Sequence, residues 1–262
     1  MPNRHPCRRA RRCPPAVIAL LIAGSAASAA AFAQTPAQPS ARDFTGVYFP
    51  AGFGQRRPNP LPFTPAAQAL ADAYAEQFRT EDDPGLYCIW PGMPRAPWGA
   101  PFAIEIFHRP HDLTIYWEGY GMYRKVYMAE HDPPEPILPT AMGHSLARWE
   151  GDALVIETTH LKAYPYMNRF PTTSEAHVLE RMWLEEREVD GEARKYLVDE
   201  ITVTDPKLYT EPVRSSAEAV YRPDLNILEY TCSTSLWEEY LEERGLALPD
   251  VDALPESSSA AD

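Results

Sequence analysis

The sequence predicts an all-β domain, an antiparallel meander that closes into a barrel and carries one short N-terminal helix. From residue 102 onward, short runs rich in β-branched and aromatic residues alternate with tight turn signals. The 28 prolines disfavour a helical bundle, because each interior proline would break a helix. A β-sandwich is the alternative architecture. Closure is favoured over it because a closed barrel leaves no exposed strand edges.

The domain begins with one short strand and one helix. Residues 43–48 form the first predicted strand, and a loop rich in glycine and proline follows at residues 52–62. Thr64 then caps a helix and Pro65 fits its first turn. Residues 66–78 are rich in alanine and place leucine, tyrosine and phenylalanine at helical spacing, so they continue this helix.

Turn signals divide the rest of the domain into consecutive hairpins. The further predicted strands lie at residues 102–107, 113–117, 122–128, 144–149, 153–159, 176–189, 195–204, 213–221 and 227–232. Two of the turns contain an acidic residue followed by glycine, Glu150-Gly151 and Asp190-Gly191, which is typical of tight hairpins. We therefore expect about ten strands. A short helix at residues 237–244 and a disordered acidic tail at residues 248–262 complete the chain.

The first 33 residues have the pattern of a cleaved secretory signal peptide. Five arginines and no acidic residue precede a short apolar core at residues 16–24, and Ala31-Phe32-Ala33 forms a cleavage box. The core is shorter than the ~20 residues that a membrane-spanning helix needs. We therefore expect cleavage near Ala33 and a periplasmic or secreted protein. The predicted organisation is a signal peptide (1–33), a linker (34–43), the β-barrel domain (44–235) and a short helix with the acidic tail (236–262).

The charge and the cysteine content of the chain indicate which classes of partner and which cellular compartment to expect. The signal peptide holds five of the 24 basic residues and none of the 37 acidic ones, so the mature chain keeps 19 basic residues and a net charge of −18. A surface this acidic repels nucleic acid and anionic lipid, so we expect neither as a partner and no membrane insertion. The two cysteines that remain, Cys88 and Cys232, are expected to form a disulfide in an oxidising compartment. The sequence leaves the oligomeric state open.

Several motifs spread over residues 44–232 occur together. They are Cys88 with Pro91-Gly92-Met93-Pro94-Arg95, Gly143-His144-Ser145, Arg148-Trp149-Glu150-Gly151-Asp152, Ser174-Glu175-x-x-Val178-x-Glu180-Arg181, Asp205-Pro206-x-x-Tyr209-Thr210 and Glu229-Tyr230-x-Cys232. This set resembles a family of exported bacterial proteins of unassigned function, and the resemblance implies no catalytic residues. The opening Gly46-Val47-Tyr48 is similar to the Gly-x-Trp start of lipocalin-type barrels, with tyrosine in place of tryptophan.

Four polar residues are candidates for acid–base catalysis. Glu175 and His177 lie two apart on a predicted strand, so they share a face, and Arg181 follows on that face. His144 lies in a loop just before another strand, where sites often occur. Together they can supply a general base, an orienting carboxylate and a cation for a developing oxyanion. The alternative is a solvent-exposed polar stripe. Because Glu180 and Arg181 alternate along the strand, one of the two must point into a closed barrel.

A second set of residues is expected to line a ligand pocket inside the barrel. Glu105 interrupts an apolar strand, and the neighbouring strands supply Trp117, Tyr123, Arg124 and Tyr127. If Glu105 points inward, burial raises the pKa of its carboxyl unless a cation such as Arg124 balances the charge. An aromatic-lined barrel with one buried Glu–Arg pair would suit a small ring-bearing ligand.

Two other kinds of site, a serine nucleophile and a metal site, have less support in the sequence. Gly143-His144-Ser145-Leu146-Ala147 is close to a nucleophile elbow, but that motif needs a strand before the serine and a helix after it, and its last residue is glycine. Six histidines lie in the β region, and they lack the H-x-H or H-E-x-x-H spacing of a metal site. We therefore expect no cofactor, with a His/carboxylate metal site as the alternative.

The sequence thus predicts an exported small-molecule-handling protein whose site lies inside the barrel. If the protein is an enzyme, we expect cofactor-free acid–base chemistry of a lyase, isomerase or hydrolase, because no nucleotide, haem or flavin motif is present. A non-catalytic carrier of a small apolar or aromatic ligand is one alternative. An envelope interaction module, with its motifs on an exposed patch, is another.

Overall fold

The computed structural model describes residues 42–52, 56–79, 82–96, 102–132 and 137–256. The predicted signal peptide, its cleavage box and most of the predicted linker lie outside the described residues.

Nine strands form a closed barrel, and their order around the barrel follows their order along the chain. They are β1 (Gly46–Pro50), β2 (Ile104–His108), β3 (Asp112–Trp117), β4 (Met122–Met128), β5 (His144–Glu150), β6 (Ala153–Thr159), β7 (His177–Val189), β8 (Glu192–Thr204) and β9 (Val213–Tyr221). β9 pairs with β1, with Tyr221 opposite Tyr48, and this pairing closes the barrel. The predicted all-β barrel is therefore confirmed.

One pair of strands departs from the predicted antiparallel meander. β4 and β5 are parallel, with Val126 opposite Ser145, whereas the other neighbouring strands are antiparallel. Nine strands that follow one another around a closed barrel cannot alternate in direction all the way round, because nine is odd. One parallel pair is therefore required, and the chain between β4 and β5 must return to the end of the barrel at which β4 began.

The two ends of the barrel differ in how they are covered. At the hairpin end, short turns connect β2 to β3, β5 to β6 and β7 to β8. The last of these turns has positive φ at Asp190 (56°) and Gly191 (79°), as a type I′ turn requires. At the opposite end, here called the closed end, long connections follow β1, β6 and β8. The closed end therefore holds most of the chain outside the strands.

Contacts between these long connections hold the closed end together. The indole ring of Trp90 lies 5.5 Å from that of Trp117 at the end of β3. The hydroxyl of Thr64 donates a hydrogen bond to the carbonyl of Lys207 (3.0 Å), and the hydroxyl of Tyr209 donates one to the carbonyl of Pro171 (2.6 Å). Three separate stretches of sequence thus form one layer over the barrel.

Two α-helices lie in the described part of the chain. In α1 (Pro65–Gln77) the hydroxyl of Thr64 accepts a hydrogen bond from the amide of Ala67 (3.2 Å), which confirms the predicted cap. The second, α2 (Ser235–Arg244), confirms the predicted late helix. None of the described helices is long and apolar enough to cross a membrane.

The predicted strand at residues 227–232 is wrong, because this stretch is irregular. β9 already pairs with β8 and β1, so the closed barrel has no edge left for another strand. The stretch instead runs to Cys232, which is disulfide-bonded to Cys88 with a Cα–Cα distance of 5.6 Å. The predicted disulfide is therefore present.

The expectation of a disordered tail is also wrong as far as residue 256. Val251 is buried, and the amide of Ser174 donates a hydrogen bond to the carboxylate of Asp252 (2.7 Å). Lys207 binds the carbonyl of Asp252 (2.7 Å). Acidic composition suggested disorder, but Leu248, Val251 and Leu254 pack against the core, and this burial with the contacts of Asp252 docks the segment on the closed end.

Side chains alternate between the barrel interior and its outer face, as strand geometry requires. Every second residue of β7 is buried through Val178, Glu180 and Met182, while the residues between them face outward. Phe44 fills the hairpin end, where its ring stacks on that of Trp149 at 5.6 Å and is completely buried. The interior is therefore a packed core.

Candidate functional site

The barrel interior contains one buried ion pair. Arg124 and Glu180 are each 1% exposed, and both guanidinium Nη atoms donate hydrogen bonds to the two carboxylate oxygens. Arg124 also donates to the hydroxyls of Ser145 (3.0 Å) and Thr158 (2.8 Å). The network joins β4, β5, β6 and β7 across the core, and it satisfies a charge that would be costly to bury alone.

The space beside this ion pair is very small. A cavity of about 10 Å³ lies among Arg124, Glu180, Asp199 and the surrounding apolar side chains. That volume suits at most one water molecule. A ligand with a ring therefore has no room in the interior of this structure, and the ion pair acts as part of the core.

Strand alternation separates the residues that we expected to line an interior pocket. Arg124 and Trp117 point inward, as predicted. Tyr123 and Tyr127 flank inward-facing positions of β4, so they lie on the outer face, and Tyr123 is 62% exposed. Glu105 is half-buried between the inward-facing residues of β2, and the partner of Arg124 is Glu180 instead. Of the two orientations that the sequence left open for Glu105, the structure therefore has the outward-facing one, and no Glu105–Arg124 pair forms in the interior.

The four catalytic candidates likewise lie outside the barrel interior, and the expectation that they form an inward-facing group is wrong. His177 and Arg181 lie on the outer face of β7, and His144 lies at the start of β5 next to the inward-facing Ser145. Glu175 precedes β7 and binds Lys207 at 2.8 Å. The reason is that side chains alternate between the two faces of a strand. On β7, Glu180 faces inward, so its neighbours face outward.

Each of these residues has a separate structural partner. His144 lies 2.8 Å from the carboxylate of Asp132. His177 lies 3.9 Å from Glu157, and Arg181 binds Glu150 at 3.1 Å. The side chain of His144 is 10% exposed, whereas that of His177 is 43% exposed. His144 is therefore well placed for a packing role, and His177 forms a surface ion pair.

The two histidines should differ in their effect on stability. We expect His144→Ala to lower the free energy of unfolding by about 1–2 kcal/mol, because it removes a packed ring and a hydrogen bond. The effect of His177→Ala should stay within about 0.5 kcal/mol, because the ring is exposed. Urea denaturation followed by tryptophan fluorescence measures both. Equal losses of stability would contradict these roles.

A cluster of arginines at the closed end surrounds a single carboxylate. Asp83 accepts two hydrogen bonds from Arg95 (3.1 and 2.8 Å) and one from the amide of Gly85 (2.9 Å). The Nε atom of Arg169 lies 3.0 Å from the same carboxylate. Burial alone would raise the pKa of the Asp83 carboxyl, but the hydrogen bond and charge of Arg95, with the charge of Arg169, hold it below its ordinary value.

Arg95 is fixed in place by a second contact. Its Nη1 atom donates a hydrogen bond to the phenol oxygen of Tyr164 at 2.7 Å. Burial raises the pKa of Tyr164 to about 12, although Arg95 opposes this shift, so the phenol is protonated at neutral pH. The side chains of Arg95 and Asp83 are each 16% exposed, so this pair is largely shielded from solvent but still reached by it.

Arg57 is the third arginine of the cluster, and it has no carboxylate partner within the described ranges. Its guanidinium carbon lies 5.7 Å from the centre of the Phe170 ring, and Nη1 donates a hydrogen bond to the carbonyl of Pro58 (3.2 Å). Burial lowers the pKa of the Arg57 guanidinium, and the charges of Arg95 and Arg169 lower it further against the effect of Tyr209. The charge of Arg57 therefore lies close enough to those of Arg95 and Arg169 to be affected by them.

We call Arg57, Arg95, Arg169, Asp83 and Tyr164 the arginine cluster. Within this set, Arg95 and Arg169 both contact the carboxylate of Asp83. Arg148 and Arg187, in contrast, each bind two glutamates. A buried polar atom adjoins the cluster, because Tyr74 is 3% exposed and its hydroxyl has no hydrogen-bond partner within the described ranges. Burial raises the pKa of the Tyr74 phenol, and Tyr166 and Tyr164 raise it further, whereas the charge of Arg169 lowers it.

Other parts of the surface fit a ligand less well. An open groove of about 590 Å³ lies between the tip of the β7–β8 hairpin and the end of β9. Its cations Arg194, Lys195 and Arg222 are offset by Glu186 and Glu192 in the same wall, and Arg222 binds Asp224 through two hydrogen bonds. In the described ranges, no group of three His, Cys, Asp or Glu side chains is arranged to hold a metal ion.

Sequence reasoning missed most of the arginine cluster. Arg95 belongs to one of the motifs behind the family resemblance, and that is the single signal in the sequence for any member. Arg57 and Arg169 lie in irregular connections, and Asp83 lies in a turn. Their convergence depends on how two connections pack, the one between β1 and β2 and the one between β6 and β7. No family model matches the chain and no curated protein is similar to it, so the resemblance to exported bacterial proteins stays a prediction.

Proposed function

We propose that this is an exported protein that binds a small organic anion at the arginine cluster. The observation that carries the proposal is that two guanidinium groups, those of Arg95 and Arg169, contact one carboxylate at a partly buried position, and that their charges act on a third, that of Arg57. Arginine is well suited to this role, because its planar fork matches the two oxygens of a carboxylate or phosphate.

The surroundings of the cluster favour an organic ligand over a simple inorganic ion. Phe170 lies under Arg57, and the rings of Tyr164 and Tyr166 meet edge to face at 4.6 Å. Apolar walls lower the local dielectric, which strengthens the attraction between the guanidinium groups and an anion. They also provide contact for the carbon skeleton of a ligand.

The chemistry of the cluster favours binding over acid–base catalysis. Arginine is always protonated at neutral pH, so it cannot act as a general base. Tyr164 has a pKa of about 12, so it is a hydrogen-bond donor and not a ready proton acceptor. Asp83 is already engaged by Arg95 and Arg169. A carrier or receptor for an organic acid is therefore the function that the site supports best.

Export is the second part of the proposal. The signal-peptide pattern of the first 33 residues and the Cys88–Cys232 disulfide both support it. A periplasmic or secreted organic-acid binder would meet its ligand before the ligand is taken up or degraded. Intact Met1 on protein recovered from the cytoplasm would contradict this part of the proposal alone.

The anion site can be tested with one pair of variants. In calorimetric titrations, we expect benzoate to bind the mature protein and the neutral analogue benzyl alcohol to bind at least tenfold more weakly. Arg57→Gln should weaken benzoate binding by about 10- to 100-fold, because a hydrogen bond to a charged group contributes about 1.5–3 kcal/mol.

The neighbouring Arg56 provides a matched control. Its side chain is 67% exposed and binds Glu218 at 2.8 Å. Arg56→Gln makes the same change of charge one residue away, so it should leave benzoate binding within about twofold of the wild type. The proposal fails if benzoate does not bind, if benzyl alcohol binds as well, or if the two variants have equal effects.

A further inference from the structure

We propose that the far half of the β7–β8 hairpin binds an extended basic peptide of a partner protein, which adds as a further strand to the edge of β7. This inference goes beyond the proposed function, because it concerns the opposite end of the barrel and a macromolecular partner. Its basis is a run of unpaired backbone groups in β7 and the acidic side chains beside them.

β7 and β8 extend beyond the strands on either side of them. β7 pairs with β8 over its whole length. It pairs with β6 only as far as Met182, which is opposite Leu154. The pairing of β8 with β9 stops at Tyr196, which is opposite Val220. Within the described residues, the far half of the hairpin is therefore a two-stranded ribbon with an open edge on each side.

The turn of the hairpin determines which backbone groups of β7 face its open edge. Asp190 and Gly191 form a two-residue turn, so the pair that flanks it, Val189 and Glu192, is hydrogen-bonded. Hydrogen-bonded and non-hydrogen-bonded pairs alternate along an antiparallel ladder, so the N–H and C=O groups of every second residue of β7 point away from β8. Beyond the end of the pairing with β6, the residues that point away are Leu184, Glu186 and Glu188, here called the β7 edge.

The β7 edge presents six backbone groups for a further strand. No hydrogen bond from another described part of the chain reaches them. A row of unpaired donors and acceptors on a strand is a template for pairing with another chain. In this mode of recognition, main-chain hydrogen bonds supply the affinity and alternate side chains supply the specificity. An extended peptide is therefore the ligand that these groups fit.

The side chains of the β7 edge indicate the charge of the peptide. Glu186 and Glu188 are exposed, lie on one face of the strand, and form no ion pair with any described residue. Lys195 is opposite Glu186, but its ammonium lies over the ring of Tyr221 at 4.8 Å. Basic residues opposite the two glutamates, and an apolar residue opposite Leu184, would each stabilise the pairing.

The same charges disfavour a second copy of the protein as the occupant. Two copies paired through the β7 edge would bring glutamates close together, and like charges directly opposite each other destabilise a pair of strands. The mature chain also has a net charge of −18, which repels a copy and attracts a basic segment. Charged residues on edge strands commonly prevent self-pairing in this way. The β7 edge therefore selects a basic partner.

The test begins with a fluorescent heptapeptide in which lysine, lysine and valine, in this order, alternate with threonine. In the antiparallel direction its lysines meet Glu188 and Glu186, and its valine meets Leu184. We expect fluorescence anisotropy to show saturable binding to the mature protein. Replacing both lysines with glutamate should weaken binding at least about tenfold, because two attractive pairs become repulsive. The proposal is overturned if the basic peptide does not bind, or if the acidic peptide binds equally well.

Methylation of the peptide backbone distinguishes strand addition from a general attraction between opposite charges. N-methyl groups on the lysines and the valine remove the N–H groups that face the β7 edge, so they should weaken binding at least about tenfold. N-methyl groups on the threonines lie on the N–H groups that face away, so they should change binding by less than about threefold. Equal effects of the two methylated peptides would show that no strand is added, and the proposal would fail.

Two proline variants locate the site on the protein. Glu188 and Ala193 are opposite each other, and their N–H groups point to opposite edges of the ribbon. Glu188→Pro should weaken peptide binding at least about tenfold, whereas Ala193→Pro should leave it within about twofold of the wild type, because proline is tolerated where the N–H faces solvent. Glu188→Gln removes the charge but keeps the N–H, so it should weaken binding only about two- to fivefold.

Each outcome of the variants counts for or against the proposal. A smaller effect of Glu188→Pro than of Ala193→Pro, or equal effects, would overturn it. Sedimentation that shows a dimer of the wild type and a monomer of Glu188→Pro would assign the β7 edge to a second copy and would overturn it as well. If a proline variant does not fold, the comparison of the two methylated peptides on the wild-type protein decides the matter.

Discussion

Glu180→Ala is expected to lower the free energy of unfolding by about 3–5 kcal/mol, because it leaves the guanidinium of Arg124 buried without its counter-charge. Both side chains are 1% exposed, so water cannot replace the lost carboxylate. The two hydroxyls that remain, those of Ser145 and Thr158, accept hydrogen bonds but carry no charge. Guanidinium chloride denaturation followed by tryptophan fluorescence measures the change.

A surface variant serves as the control for this prediction. Glu157 lies on the outer face of β6, next to β7, and binds Arg148 with both side chains about half exposed. Glu157→Ala should therefore change stability by less than about 1 kcal/mol. A double variant, Arg124→Met with Glu180→Leu, removes both charges and should recover most of the loss. Similar effects of Glu180→Ala and Glu157→Ala would show that the buried pair is not important for stability.

Replacing both Cys88 and Cys232 with alanine is expected to destabilise the protein by about 5 kcal/mol, because the disulfide closes a loop of 144 residues. The bond joins the connection that contains Asp83 to the segment before α2. In α2 the ring of Trp237 stacks on that of Tyr240, and both contact Tyr87 next to Cys88. Loss of the bond should therefore loosen the closed end first.

Mass analysis without reductant provides the first check of this prediction, since the mature protein should contain no thiol that can be alkylated. Thermal unfolding with and without reductant provides the second. Reductant should lower the melting temperature of the wild type towards that of the double variant, and it should not affect the double variant. Two freely alkylated cysteines in the mature protein, or equal stability of the two proteins, would contradict the prediction.

Local sequence patterns predicted the barrel well because strands and hairpins depend on neighbouring residues. β4, β6 and β9 begin and end where the sequence indicates, and the turn at Asp190 and Gly191 adopts the conformation that those residues favour. The parallel pair of β4 and β5 follows from a simple count of strands. Hairpin signals did not predict this parallel pair, because they indicate how consecutive strands are connected and carry no information on how the barrel closes.

The interior partner of Arg124 was harder to predict. Glu105 and Glu180 both interrupt apolar strands. Which one faces inward depends on the alternation of side chains between the two faces of each strand. Glu180 lies between the buried residues Val178 and Met182, whereas Glu105 lies between Ile104 and Ile106 and faces out. The sequence indicated that Glu180 or Arg181 must point inward. The apolar residues Val178 and Met182 share a face of β7 with Glu180, so they identify Glu180 as the inward-facing one.

The arginine cluster could not be predicted from local patterns, because its members come from distant parts of two separate connections. Arg57 follows β1, Asp83 and Arg95 flank the Cys88 turn, and Arg169 follows β6. Loops have no periodicity that reports which side chains will meet. The histidines attracted attention because of their chemistry, but packing placed His144 and His177 outside the interior.

The most direct measurement of the central claim is the position of a bound anion. Crystals of the mature protein soaked in 4-bromobenzoate allow the bromine to be located by anomalous scattering. The proposed function predicts a peak beside the arginine cluster, with carboxylate oxygens in contact with the guanidinium of Arg57, and no such peak in crystals of Arg57→Gln. A ligand found only in the groove lined by Arg194 and Arg222, or a peak unchanged in Arg57→Gln, would contradict it.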